Sequence, residues 1–84
     1  MSDELRRRSA VWRDIEFNLD HFSDAVEARK AEKWVDGTDE QALSSIVKLL
    51  RSALVFARAR YRDVLNEQVA AEYVEVEKIY EQVH

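Results

Sequence analysis

The side chains that could do chemistry in this 84-residue chain fall into a few small groups. Glu81-Gln82-Val83-His84 sets a carboxylate and an imidazole on one helical face, the spacing by which helical bundles hold paired iron ions. Such a site needs a second pair and two more inward glutamates. Neither helix supplies the second pair, so a frayed, solvated end is the expectation there. His21 and Asp24 stand one turn apart and could offer a metal two ligands, too few to close a site. Arg6-Arg7-Arg8 and Arg58-Ala59-Arg60-Tyr61-Arg62 could contact phosphates. On a helix, however, Arg58 and Arg62 share a face while Arg60 points elsewhere, and no glycine loop or stacking platform accompanies them. The expectation is therefore no catalytic, cofactor-binding or metal-ligating residue, and no cofactor.

Resemblances to helical families supply the alternatives. Glu72-x-x-Glu75, with Glu77 nearby, is similar to the carboxylates by which all-α nucleotide pyrophosphohydrolases hold magnesium. The chain resembles the small all-α chorismate mutases in length, and Arg13, Arg29 and Lys33 align loosely with their basic residues. That resemblance implies an intertwined helical dimer with a cationic pocket between subunits. The helical ribonuclease domains are similar in being all-α, but Arg13 and His21 lie too far apart for their Arg–His spacing, which disfavours that class. Trp34-Val35-Asp36-Gly37, followed by Tyr73-x-x-x-Glu77, resembles the Trp-x-Gly helical-hairpin secreted proteins of Gram-positive bacteria, with one residue more in the turn. This last resemblance implies a four-helix dimer and makes a secreted hairpin a further alternative.

The elements that must position these residues are helices. There is no proline and a single glycine, Gly37, so almost nothing interrupts a helix. Asp36-Gly37-Thr38 is the one punctuation mark. Gly37 can end a helix in the left-handed conformation, and Thr38-Asp39-Glu40-Gln41 fits a capping box with Thr38 as N-cap. The reading is one all-α domain over 1–84, an antiparallel two-helix hairpin with helix 1 at about 3–35, a turn at 36–38 and helix 2 at about 39–82. A three-helix bundle with a break near residue 66, where Asn66 could cap a third helix, is the alternative.

The apolar pattern predicts coiled-coil packing. Trp12, Ile15, Leu19, Phe22 and Val26 form a seam at alternating spacings of three and four, widened by Val11 and Ala25. Phe17, Ala28, Ala31 and Val35, with Trp34 beside them, form a second, thinner set. Residues 46–57 are apolar over most of the helix circumference and should be buried on several sides. Val69, Tyr73, Val76, Tyr80 and Val83 form another clean seam. At 1.5 Å per residue, helix 2 outruns helix 1 by roughly ten residues, and leaving that seam in water would forfeit about 1.5–3 kcal/mol per large side chain. A partner should cover it.

Composition points the same way. A chain this short buries only about 60% of its unfolded surface, and with no cysteine and two histidines, association is the remaining route to stability. Lack of cysteine, and a start without the cationic-then-apolar run of a signal peptide, make a cytoplasmic location the expectation. No apolar run reaches the roughly 20 residues of a membrane span, so no membrane is expected. A net charge of −4 argues against nucleic acid. Residues 41–62 contain Lys48, Arg51, Arg58, Arg60 and Arg62 and no acid, whereas Asp63, Glu67, Glu72, Glu75, Glu77 and Glu81 oppose only Lys78 beyond them. Antiparallel pairing of helix 2 between two chains would bring opposite signs together. Within the hairpin, Glu27 would meet Lys48, Asp20 or Asp24 would meet Arg51, and Glu16 would meet Arg58, each worth at most about 1 kcal/mol.

The expected protein is a non-catalytic helical interaction module, such as a small adaptor, inhibitor, antitoxin-like or assembly subunit, working by helix-face docking. Its partner would be a second copy, making a homodimeric four-helix bundle, or another helical protein. Tyr73, Val76, Tyr80 and Val83 form one anchor set, Phe17 and Trp34 a second.

Overall fold

Good helix formers run without interruption through both halves of the chain, and helices result. The computed structural model describes residues 2–83, which form α1 over Ser2–Arg29 and α2 over Gly37–Val83. The two pack antiparallel: Arg6 near the start of α1 bridges to Glu72 at 3.3 Å, and Arg58 bridges to Glu16 at 3.1 Å. The described residues contain no strand, and α2 continues unbroken through Leu65-Asn66-Glu67. The chain is thus the all-α hairpin, not the three-helix alternative.

The turn differs from expectation. α1 stops at Arg29, six residues short of the predicted end at 35, and residues 30–36 carry the chain across. Here the backbone tightens into i→i−3 bonds, with Lys30 N–H donating to Glu27 carbonyl at 3.2 Å and Glu32 N–H to Arg29 carbonyl at 3.1 Å. The Glu32 carboxylate accepts from Arg29 at 2.6 Å and from the Trp34 indole, local bonds that compete with helix continuation. α2 then starts two residues early. The Asp36 carboxylate accepts from Asp39 N–H at 2.8 Å while the Asp39 carboxylate accepts from Asp36 N–H at 3.3 Å, a reciprocal capping box. Asp36 is therefore the N-cap, not Thr38. Gly37 has no positive φ and is the first residue of α2, so it does not end α1 in the left-handed region.

Between the helices runs one heptad seam. Ser9, Ser23 and Val26 of α1 are buried against Val47, Leu54, Ala57 and Val64 of α2, with Trp12, Glu16 and Leu19 half-buried among them. These buried residues are small or medium, which lets two helices approach closely. The α1 stripe is rotated from the expected one: Trp12, Leu19 and Val26 do face α2, but Ile15 and Phe22 lie exposed on its flank, and Glu16 and Ser23 hold the contact line. A buried serine is tolerated because the Ser23 hydroxyl donates to the Asp20 carbonyl of its own helix at 2.8 Å. At the open end, the Ser9 hydroxyl donates to Gln68 Oε1 at 2.7 Å, and Gln68 passes the chain of bonds to Glu72, which Arg6 also holds.

Two rods side by side cover little. The chain measures 70 × 16 × 16 Å with a radius of gyration of 19.9 Å, against about 12 Å for a compact domain of this length. It exposes 6687 Å², whereas a compact protein of 9.9 kDa exposes about 5,200 Å².

Denaturant unfolding checks this packing. Leu54→Ala is expected to cost about 2–5 kcal/mol by opening a cavity. Ser23→Leu is expected to cost about 1–3 kcal/mol by forcing the helices apart. For the turn, Asp36→Ala should cost about 1 kcal/mol while Thr38→Ala stays within about 0.5 kcal/mol. Equal losses from both would restore Thr38 as the cap.

Candidate docking surface

The outward face of α2 carries the sequence-predicted anchors. Beyond Glu72, the last of the described residues of α2 bridged to α1, the helix runs on past the start of α1. Tyr73, Val76 and Tyr80 are each more than 60% exposed there and, with Glu77 and Glu81, line a shallow groove. The side chain of Val83, and His84 with the Glu81-x-x-His84 pair, lie outside the described residues.

Sequence reasoning missed that this face continues upstream. Residues 46–57 were expected to be buried on several sides, but only Val47, Leu54 and Ala57 are buried, and Leu49, Val55 and Phe56 stand outward, Phe56 76% exposed. An apolar circumference signals burial without naming the neighbour, and the neighbour within the chain is a single helix.

The two edges of the hairpin differ in chemistry. On one, Arg6–Glu72 and the Glu16–Arg58–Asp20 cluster link the helices, with Arg58 at 3.1 Å from Glu16 and 4.0 Å from Asp20. On the other, Arg8 meets Glu67 at 3.6 Å. Heptad repetition from that pair sets Ile15, Phe22 and Arg29 along the same edge as Arg60, Ala53 and Ile46. This second edge mixes apolar and basic side chains, and Ile15, Phe22 and Ile46 are exposed on it.

Phe17 and Trp34 stand apart on the chain. Phe17 lies mid-helix, its ring 4.2 Å from that of His21, beside a groove lined by Arg13, Glu16, Asp20 and Tyr61. Trp34 sits in the turn, and about 18 Å of helix separates Phe17 from the end of α1. Both rings are exposed.

Charge placement follows the pairing of the helices. Of the three expected bridges only Glu16–Arg58 forms as written; Glu27 meets Lys30 at 3.1 Å instead. Among the described residues Lys48, Arg51, Arg60 and Arg62 on α2 have no ion pair, and neither do Asp63, Glu75, Glu77 and Glu81. Arg6 and Arg8 close the open end of the hairpin. Glu72 is bound to Arg6 and Gln68, and the described residues contain no group of three or more metal-ligating side chains. Arg13 and Arg29 pair locally with Asp14 and Glu32, about 24 Å apart along α1. Among the described residues no helix is long and apolar enough to cross a membrane.

No protein-family model matches the chain, and comparison with curated proteins and with solved structures gives no match.

Hydrogen bonds from the Trp34 indole, then from Arg29, hold the Glu32 carboxyl below the ordinary glutamate value. A lowered folded value means the contact is complete above the unfolded pKa and is lost as pH falls through the folded one. The indole N–H resonance of Trp34 should therefore shift on acidification, and Glu32→Gln should abolish that titration.

Proposed function

We propose that the chain is a non-catalytic helical interaction module that works by docking its exposed helix faces on a second copy or on another helical protein. One observation carries the reading: among the described residues sixteen large apolar side chains are exposed while five apolar residues form the buried core. Scattered apolar side chains on a surface are ordinary, whereas contiguous stripes along one helix mark a contact. Burial of each large side chain is worth about 1.5–3 kcal/mol, so the outward face of α2 holds more association energy than any charged pair on the hairpin. Tyr73 and Tyr80 are the anchors of the C-terminal stretch, with Val76 between them, and Phe56 is the anchor upstream. The excess exposed area, about 1,500 Å² per chain, falls in the range that obligate interfaces cover. Roles as a small adaptor, inhibitor, antitoxin-like or assembly subunit all use such a face, and the absence of cysteine fits a reducing cytoplasm.

Light scattering across a concentration series, combined with thermal melts, tests this. The expected result is a mass above that of one chain and a melting temperature that rises with concentration. Tyr73→Glu combined with Tyr80→Glu should dissociate the assembly while α1 stays helical. A chain that is monomeric throughout, with a melting temperature independent of concentration, overturns the reading.

A further inference from the structure

We propose that Glu67, which Arg8 holds across the hairpin, is completed by Arg60 of a second copy, and that this pair sets the register of a two-fold homodimer in which the α2 helices run side by side in opposite directions. It rests on the docking reading above, with a second copy of the chain as the occupant.

Two columns of α2 point away from α1. Val47, Leu54, Ala57 and Val64 turn toward α1, so the opposite stripe consists of Leu49, Phe56, Asp63, Ala70 and Glu77 in one column and Ser52, Ala59, Asn66, Tyr73 and Tyr80 in the other. Leu49, Phe56, Tyr73 and Tyr80 are each more than 60% exposed. Arg60 and Glu67 flank the first column, seven residues apart on the same side, and Val55, Arg62, Val69 and Val76 flank the second. Among the described residues Arg60 has no ion pair, while Glu67 meets only Arg8, at 3.6 Å.

A second copy suits this stripe only when reversed. Residues 41–62 hold no acid and residues 63–81 hold one base, Lys78, so a parallel pair sets like charges together, whereas a reversed pair sets the basic half of each helix on the acidic half of the other. In a reversed pair the two columns face each other and each flank meets its own counterpart, so the possible registers differ by whole heptads. With the two-fold axis beside Val64 and Leu65, Phe56 meets Tyr73 of the other copy, Leu49 meets Tyr80 and Ala59 meets Ala70. Asp63 meets Asn66, whose carboxamide N–H donates to it, a polar layer of the kind that fixes alignment in paired helices. Along their shared flank, Arg60 of each copy meets Glu67 of the other and so joins Arg8 around that carboxylate. On the second flank Val55 meets Val76, and Arg62 lays its methylene stem on Val69.

Slipping by one heptad removes these matches. One slip sets Arg60 against Arg60 of the other copy and Asn66 against Phe56. The opposite slip sets Glu67 against Glu67 and Asp63 against Tyr73. Each brings like charges together and buries a polar group on an aromatic ring, which is costly. In the matched register the part of α2 that runs past the start of α1 lies along residues 46–56 of the other copy, so Tyr73 and Tyr80 are covered by Phe56 and Leu49.

Mixing two charge variants tests the assignment. Arg60→Glu chains alone place two acids together and Glu67→Lys chains alone place two bases together, so each should dimerise about tenfold more weakly than the parent at low salt, measured by sedimentation equilibrium. In an equal mixture both cross-pairs have opposite signs, and the mixed dimer should form within about threefold of the parent's affinity. Contacts inside each chain, Arg8–Glu67 included, are the same in self-paired and mixed dimers of these variants and do not favour mixing. A second measurement uses the cysteine-free background: oxidising Ala59→Cys chains mixed with Ala70→Cys chains should yield the mixed disulfide in preference to either self-linked product, because like positions stand about 16 Å apart along the pair. If the parent dimerises but mixing brings no preference for the mixed dimer, or the mixed disulfide does not prevail, the register is overturned while the docking reading stands. A parent that stays monomeric with a concentration-independent melt overturns both.

Discussion

Two helices touching along one stripe shield only one side of each, and everything else about this molecule follows from that constraint. A helix cylinder about 10 Å across offers its neighbour roughly a third of its circumference, so residues on the other two thirds meet solvent unless something else arrives. Here the shielded stripe is built of Ser9, Ser23, Val26, Val47, Leu54, Ala57 and Val64. Its small side chains bring the rods close, but they bury modest apolar area, and the larger residues Phe22, Leu49 and Phe56 are displaced outward. In the proposed docking, contact between molecules adds the burial that other folds draw from a central core.

Polar interactions then decide alignment. The chain from Ser9 through Gln68 and Glu72 to Arg6 fastens the open end, and Glu16–Arg58 fastens the middle. Exposed bridges of this type contribute little energy, yet each specifies which residues stand opposite one another. The turn is fastened by a capping box of two aspartates and by Glu32, which gathers Arg29 and Trp34. These bonds set where α1 stops, and the stopping point sets how far α2 projects.

The projection makes the electrostatic division of α2 meaningful. A helix with a basic half and an acidic half, left partly uncovered, is self-complementary when reversed. The outward face of the helix carries both exposed apolar side chains and charges, the two kinds of contact that paired helices use. Among the described residues, those with catalytic precedent are not gathered in this way: the His21 ring lies tilted against that of Phe17, Arg13 and Arg29 pair locally, and Glu72 is engaged in closing the hairpin.

Sequence by itself determined the helical class, the two-element plan, the start of α2 within two residues and the overhang of α2, because all of these depend on local propensity, punctuation and length. It also pointed to the exposure of Tyr73, Val76 and Tyr80, since a seam longer than the helix beside it reaches past that helix. Tertiary structure decided which of two neighbouring stripes on α1 faces inward. Ile15 and Phe22 fit a heptad seam as well as Glu16 and Ser23 do by spacing, and only the close approach of α2 selects the smaller pair. It likewise decided that Leu49, Val55 and Phe56 face outward, because hydrophobicity records that a residue prefers burial but not which chain will bury it. The cap at Asp36 was hidden for a related reason: Thr38 and Asp36 both offer a capping oxygen, and the path of the chain across the turn chooses between them.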